Sequence, residues 1–145
     1  MADAEPETIL CDTSFVGVQE RGDAATAHWD RAVLARLDAA ILAVSVFSLA
    51  EIRAGRIYAK WGQRRSDDQE ARLAAFLRVP LDEDIADVYS ELHAWALRGH
   101  ATPHNDLWIA ATAISRRVPL ASCDGDFDRI ADDFPLEHIY LPPRP

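Results

Sequence analysis

Short apolar runs alternate with long stretches of helical period along this chain, and that alternation restricts its fold more than any other feature. Four runs, "TILC" at 8–11, "AILAVS" at 40–45, "VPLASC" at 118–123 and "EHIYL" at 137–141, have the length and composition of buried strands. Between them apolar residues return every three or four positions, which predicts helices over approximately 14–21, 26–38, 46–61, 67–79, 83–98, 104–116 and 127–133. Strands that alternate with helices build an α/β fold, a parallel sheet with helices on its faces. Ligands bind such sheets beyond the carboxyl ends of the strands. The first run ends at Asp12, so an acid stands where function is expected.

With 145 residues, 49% of them hydrophobic and 27% charged, the chain reads as one globular domain over 1–145. The acidic "MADAEPE" (1–7) and the proline-rich end (142–145) carry no apolar period and read as flexible tails. No apolar run reaches the roughly 18–20 residues that span a bilayer, and "MADAEPETIL" lacks the basic start and apolar core of a signal peptide. The expectation is a cytoplasmic protein with no membrane partner. Cys11 and Cys123 occupy no zinc-binding spacing and read as buried structural thiols.

Further acids gather at the same predicted edge. "VPLASCDGDFDRI" repeats the opening pattern of apolar strand, cysteine and acid, placing Asp124 and Asp126 beyond a second strand end. In "TPHNDLWIAATAISRR", Thr102 and Pro103 read as N-cap and first helical position, and Asp106 leads the inward stripe Ile109, Ala110 and Ala113. In "VSVFSLAEIRAG", Glu51 flanks an apolar face formed by Val46, Leu49, Ala50, Ile57 and Trp61. Each acid has a plain structural reading. Asp12 can cap a helix, Ser48 and Glu51 can form a capping box, Asp106 can complement a helix dipole, and Asp124 and Asp126 can build a turn. Together those readings weaken, because four segments bring carboxylates to one edge. Crowded carboxylates repel one another unless a cation joins them, and hard ions such as Mg²⁺ or Mn²⁺ favour oxygen ligands of this kind. Such sites drive phosphoryl hydrolysis.

"LCDTSFV", "SLAEIRAG", "HNDLWIAATA" and "ASCDGDF", in this order and at these intervals, resemble the PIN-domain proteins, specifically the VapC-type toxin ribonucleases of bacterial toxin–antitoxin pairs. The resemblance spans nearly the whole chain. It implies a three-layer α/β/α sandwich with a central parallel sheet, and a Mg²⁺- or Mn²⁺-dependent endoribonuclease. Its acids map onto Asp12, Glu51 and Asp106, with the last supplied by "CDGDF" as Asp126, Asp124 or both. The metal would be held by Asp12 and Asp106, with Glu51 and Asp126 directly or through water. Thr13, Ser14, Asn105 and Ser122 match polar positions that orient carboxylates or water in the family. The implied partners are a VapB-like antitoxin docking over the active-site groove, an RNA substrate such as tRNA or rRNA, and a second copy of the chain. Tyr58, Trp61 and the helix near 67–79 are candidates to border that groove, with a core role as the alternative.

The net charge of −9 sits awkwardly with RNA, which is attracted by clustered cations. Arg53, Arg56, Lys60 and Arg64 form a stripe at helical spacing, but on the wheel it falls opposite Glu51, so a solvated face is the first reading and RNA or dimer contact the second. Of the five histidines only His104, beside Asn105 and Asp106, invites a test. Rival chemistries fail on particular residues. A phosphoacceptor domain needs an acid pair after the first strand and a late lysine, whereas Lys60 is the sole lysine. A haloacid-type phosphatase needs Asp-x-Asp, whereas Thr13 and Ser14 follow Asp12. A calcium loop starting at Asp124 would place Arg129 and Pro135 where Gly and Glu belong. The remaining alternative is a catalytically inactive PIN-fold binding module.

Overall fold

The computed structural model describes residues 4–144; residues 1–3 and 145, within the stretches read as tails, lie outside the described residues. Five strands form one sheet in the order β3-β2-β1-β4-β5, every pair parallel. They are β1 (Thr8–Cys11), β2 (Ile41–Ser45), β3 (Leu77–Val79), β4 (Leu120–Ser122) and β5 (His138–Tyr140). Around them run α1 (Thr13–Glu20), α2 (Asp23–Thr26), α3 (Arg31–Ala39), α4 (Val46–Tyr58), α5 (Gln63–Leu73), α6 (Glu83–Leu97), α7 (His104–Arg116) and α8 (Phe127–Asp133).

Strand alternation sorts the core into two layers. Ile9 and Cys11 of β1 and Val44 of β2 point to one face, where they meet Phe15 and Val16 of α1, Leu37 of α3, Leu49 and Ile52 of α4, and Leu73 of α5. Leu10 and Ala43 point to the other, against Ile85 and Leu92 of α6, Leu107, Ala110 and Ala113 of α7, and Phe127 and Ile130 of α8. The result is the expected three-layer α/β/α sandwich. The order of the strands also fixes where a ligand can enter. From β1 the chain steps to β2 on one side and later returns to β4 on the other, so the carboxyl ends of β1 and β4 bound a crevice at the switch point.

Several local expectations change. The predicted helix 67–79 is α5, which ends at Leu73, followed by the edge strand β3, whose Val79 pairs with Ser45. Three residues, Leu77–Val79, are too few to show a period of two, so the apolar spacing around them reads as helix. The predicted helix 26–38 breaks at Asp30, whose carboxylate accepts from the N–H groups of Ala32 and Val33 and starts α3 afresh. Pro103, with ψ of 141°, is the N-cap of α7 in place of Thr102, and His104 is its first helical residue. The apolar face drawn for α4 is displaced. Leu49 and Ile52 are buried, while Val46, Ala50, Ile57 and Tyr58 are exposed, Tyr58 at 91%.

Both stretches read as tails are held where they meet the fold. The Glu7 carbonyl accepts from Ile41 N–H at 2.8 Å, and its carboxylate pairs with Arg36. The Pro142 carbonyl accepts from the Trp29 indole at 3.0 Å. Among the described residues no helix is long and apolar enough to cross a membrane.

Candidate active site

Asp12 is the first residue beyond β1, and its N–H bonds to the Ala121 carbonyl of β4 at 3.1 Å, fixing it at the mouth of the crevice. Only 4% of it is exposed. Its Oδ1 accepts from Phe15 N–H at 2.9 Å, so the capping reading of Asp12 holds; that role does not exhaust its bonding. The Ser14 hydroxyl donates to Oδ1 at 2.7 Å and the Ser122 hydroxyl to Oδ2 at 3.0 Å. Burial pushes the Asp12 carboxyl above the usual range, the three donors pull it back, and the charge of Asp124 pushes it up again.

Glu51 approaches from α4. The Thr13 hydroxyl donates to its Oε1 at 3.0 Å and the Asn105 side chain to its Oε2 at 2.7 Å. Both oxygens are therefore held by residues of the site, and there is no capping box. Ser45 is the N-cap of α4, accepting from Ser48 N–H, and Ser48 itself is buried.

Asp106, in the first turn of α7, is the least provided for. No hydrogen-bond donor among the described residues reaches its carboxylate. Burial, followed by the charges of Asp124, Asp12, Glu51 and Asp126, pushes it up to about 6. Of these charges Asp124 acts on Asp106 most strongly and Asp126 least. The two differ locally as well. Asp124 is half-buried, its N–H bonded to the Ser122 hydroxyl at 2.8 Å and its Oδ1 accepting from Asp126 N–H at 2.9 Å, so it does build the turn. Asp126 is exposed and makes no side-chain cap for α8.

The polar residues picked with the acids thus divide between two of them, Ser14 and Ser122 on Asp12, Thr13 and Asn105 on Glu51. Ser14 also accepts from Cys123 N–H at 3.2 Å, tying α1 to the end of β4. Cys11 is buried and Cys123 half-buried, and burial raises both thiols, Cys123 to about 11, which leaves them inert. His104 is bonded to another helix, its Nδ1 lying 2.5 Å from the Tyr89 hydroxyl of α6. Sequence reasoning missed Tyr89 and Trp108, whose rings stack at 3.8 Å beside it. Trp108 stands three residues after Asn105 and could have been placed by helical spacing; Tyr89 comes from another helix and could not.

The arginine stripe has a structural use. Arg53 and Arg56 of α4 both bond Glu70 of α5, at 2.8 and 2.7 Å, and Arg56 also donates to Gln69. Trp61 lies under the Arg65 guanidinium at 3.7 Å. Tyr58 has no core role.

The chemistry of the donor set fits a hard divalent cation, since it consists of carboxylate oxygens, one of which has no donor and an elevated proton affinity. Among the described residues no three His, Cys, Asp or Glu side chains converge closely enough to enclose an ion.

Against known proteins, the PIN domain matches residues 9–133. Ribonuclease VapC5 of Mycobacterium tuberculosis is 36% identical over 103 residues, 63% of this chain and 73% of that protein. The crystal structure of VapBC-5 from the same organism superposes with a TM-score of 0.68 at 26% identity, covering 94% of this chain and 100% of that one. VapBC2 of Rickettsia felis, solved bound to a DNA fragment from its promoter, superposes with a TM-score of 0.74 at 18% identity, covering 92% and 98%, a likeness of fold. On the match across nearly its whole length, the chain belongs to the PIN-domain family, among the VapC-type proteins.

Proposed function

We propose that this protein is a divalent-metal-dependent endoribonuclease, using Mg²⁺ or Mn²⁺, and the toxin of a VapBC-like toxin–antitoxin pair. The observation that carries the reading is Asp106. Four other carboxylates act on it and no donor reaches it, an arrangement that costs stability and serves no packing purpose. Asp12, at the end of β1, and Asp106, in the first turn of α7, would be the principal ligands. Glu51 and Asp124 complete the set, and Asp126 contributes from the exposed rim. We prefer Asp124 over Asp126 as the fourth acid because its charge acts on both Asp12 and Asp106.

In phosphodiester hydrolysis a water attacks phosphorus, one P–O bond breaks in line, and the leaving oxygen takes up a proton. A bound divalent ion supplies the positive field that makes water acidic and neutralises charge on the phosphate. The chain's own residues keep that geometry fixed. Ser14, Ser122 and Phe15 N–H lock both Asp12 oxygens, and Thr13 and Asn105 lock both of Glu51, so neither carboxylate needs to reorganise as charge develops. The relatives solved with antitoxins support an antitoxin partner.

The test is cleavage of a mixed tRNA and rRNA pool by antitoxin-free protein, with Mg²⁺ or Mn²⁺, with EDTA, and with folded Asp106→Asn. Discrete fragments that disappear with EDTA and with the variant are expected. Intact RNA with both metals would favour the inactive binding module.

A further inference from the structure

An acidic endoribonuclease must still hold its substrate, and several of its arginines are occupied within the fold. Arg53, Arg56 and Arg78 converge on Glu70, Arg36 bridges Glu7 and Glu137, and Arg116 pairs with Asp82. Stacking of bases on aromatic rings binds single strands without needing positive charge. A continuous aromatic array lies where the acid site ends.

Phe47 stands one turn before Glu51 on α4, and Trp108 three residues after Asn105 on α7, so each ring lies one turn along its helix from a partner in the 2.7 Å Asn105–Glu51 hydrogen bond. Phe47 stacks on Trp108 with centroids 6.5 Å apart, and Trp108 on Tyr89 of α6 at 3.8 Å and 8°. Tyr89 also stacks on His93 of the same helix at 5.6 Å, and beside that pair lies His104, exposed, 4.9 Å from the His93 ring and tethered to the Tyr89 hydroxyl. Core packing accounts for part of it, since Tyr89 and Trp108 rest against the buried cluster on this face of the sheet. The seam between α6 and α7 is closed by Ile85, Leu92 and Leu107, all fully buried, whereas Tyr89 and Trp108 stay partly exposed beside it. Aliphatic side chains would serve as filler there. Rings with polar edges, bordered by Asn105, suit a nucleobase better than the apolar centre of a contact between copies.

On the reading of this protein as a ribonuclease, we propose that Phe47, Trp108, Tyr89 and His104 form a stacking subsite for an unpaired nucleobase flanking the scissile phosphate of single-stranded RNA. The subsite sets which strands are held, and the acids cut whatever backbone it presents. Its residues are positioning residues, because none touches the reacting phosphate.

The test uses the full chain carrying Asp106→Asn, with Mg²⁺ present, and two fluorescein-labelled probes of equal charge: a decamer of adenosine ribonucleotides and an abasic ribose-phosphate decamer. The adenosine decamer is expected to bind at least about tenfold more tightly than the abasic one. Adding His104→Ala with Tyr89→Leu should remove most of that difference while leaving abasic binding unchanged. His104 is exposed, so His104→Ala alone, expected to lose several-fold, guards against misfolding of the double variant. Equal binding of the two probes, or aromatic variants that bind adenosine as the parent does, would overturn the stacking subsite and leave the ribonuclease reading standing. Binding of neither probe would overturn both. Dissociation of a dimer by the aromatic substitutions, seen by light scattering with the base preference intact, would make this face an interface between copies and also overturn the subsite.

Discussion

Glu70 on α5 lies 2.8 Å from Arg53 and 2.7 Å from Arg56, with Arg78 at 3.8 Å, whereas Asp106 on α7 has four acids acting on it and no donor. Hydrogen bonds from Arg53 hold the Glu70 carboxyl down to about 2, and burial with like charge pushes Asp106 up to about 6. Both are acids in the first or last turns of helices, and composition cannot tell them apart. Glu70 ties α5 to α4 and the edge strand β3; its charge is answered within the fold. Asp106 carries a charge the fold leaves unanswered, and a protein keeps such a group where something from outside answers it.

The sharpest way to break this comparison is to neutralise each acid in turn. Asp106→Asn is expected to lower metal-dependent RNA cleavage by about 10²–10³-fold or more while leaving the metal-free protein as stable as before or more so, because a repulsive charge is removed. Gel assays of cleavage with a melting curve of the same preparation check both halves. A variant that melts early and is inactive for that reason would return Asp106 to the class of Glu70.

Adding the cation should separate the two next. Mg²⁺ or Mn²⁺ at a hundredfold excess over its dissociation constant is expected to stabilise the native state by about 3 kcal/mol, raising Tm by roughly 5–10 °C. Asp106→Asn should lose most of the rise and Glu70→Gln should keep it. Calorimetry with EDTA-treated protein and defined metal concentrations measures this.

Much of the contrast was readable before any coordinates. Asp12, Asp124 and Asp126 follow apolar strands and Asp106 leads an inward helical stripe, so topology alone directs them to one edge of the sheet. The role of Glu70 was not readable, because Arg53 and Arg56 find it across 14 to 17 residues and a change of helix. The stripe they belong to reads as a solvated face until α5 is laid beside it. Glu51 likewise spells a capping box with Ser48, and only the approach of Thr13 and Asn105 from two other elements shows its oxygens engaged elsewhere. Edge strand β3 escaped for another reason, its three residues being shorter than any periodicity. Local spacing carries what one element does; partners across elements follow from tertiary packing.

Glu70→Gln sharpens the comparison from the structural side. Its ion pairs are partly exposed, Glu70 at 31% and Arg53 at 41%, which screens them. The expected loss is therefore about 1 kcal/mol, with cleavage and metal binding retained. Urea denaturation at neutral pH measures it.

The smallest effect is in the pH dependence, where the two acids pull in opposite directions. Asp106, with an ordinary carboxyl near 4 when unfolded and about 6 when folded, binds more protons in the native state between those values. By linkage, the metal-free protein loses stability as pH rises from about 4 to about 6, and above that range the whole cost is present. Glu70 is lowered to about 2, so its contribution is complete above the ordinary glutamate value and is lost as pH falls towards 2. The difference in Tm between the parent and Asp106→Asn should therefore open between pH 4 and 6, by the equivalent of about 1 kcal/mol after solvent screening, and reverse in favour of the parent when Mg²⁺ is added at pH 7. A difference that stays flat from pH 4 to 7 would mean that neither burial nor the charges of Asp124, Asp12, Glu51 and Asp126 raise Asp106, and the acid edge would then be five separate acids with no common counter-ion to explain them.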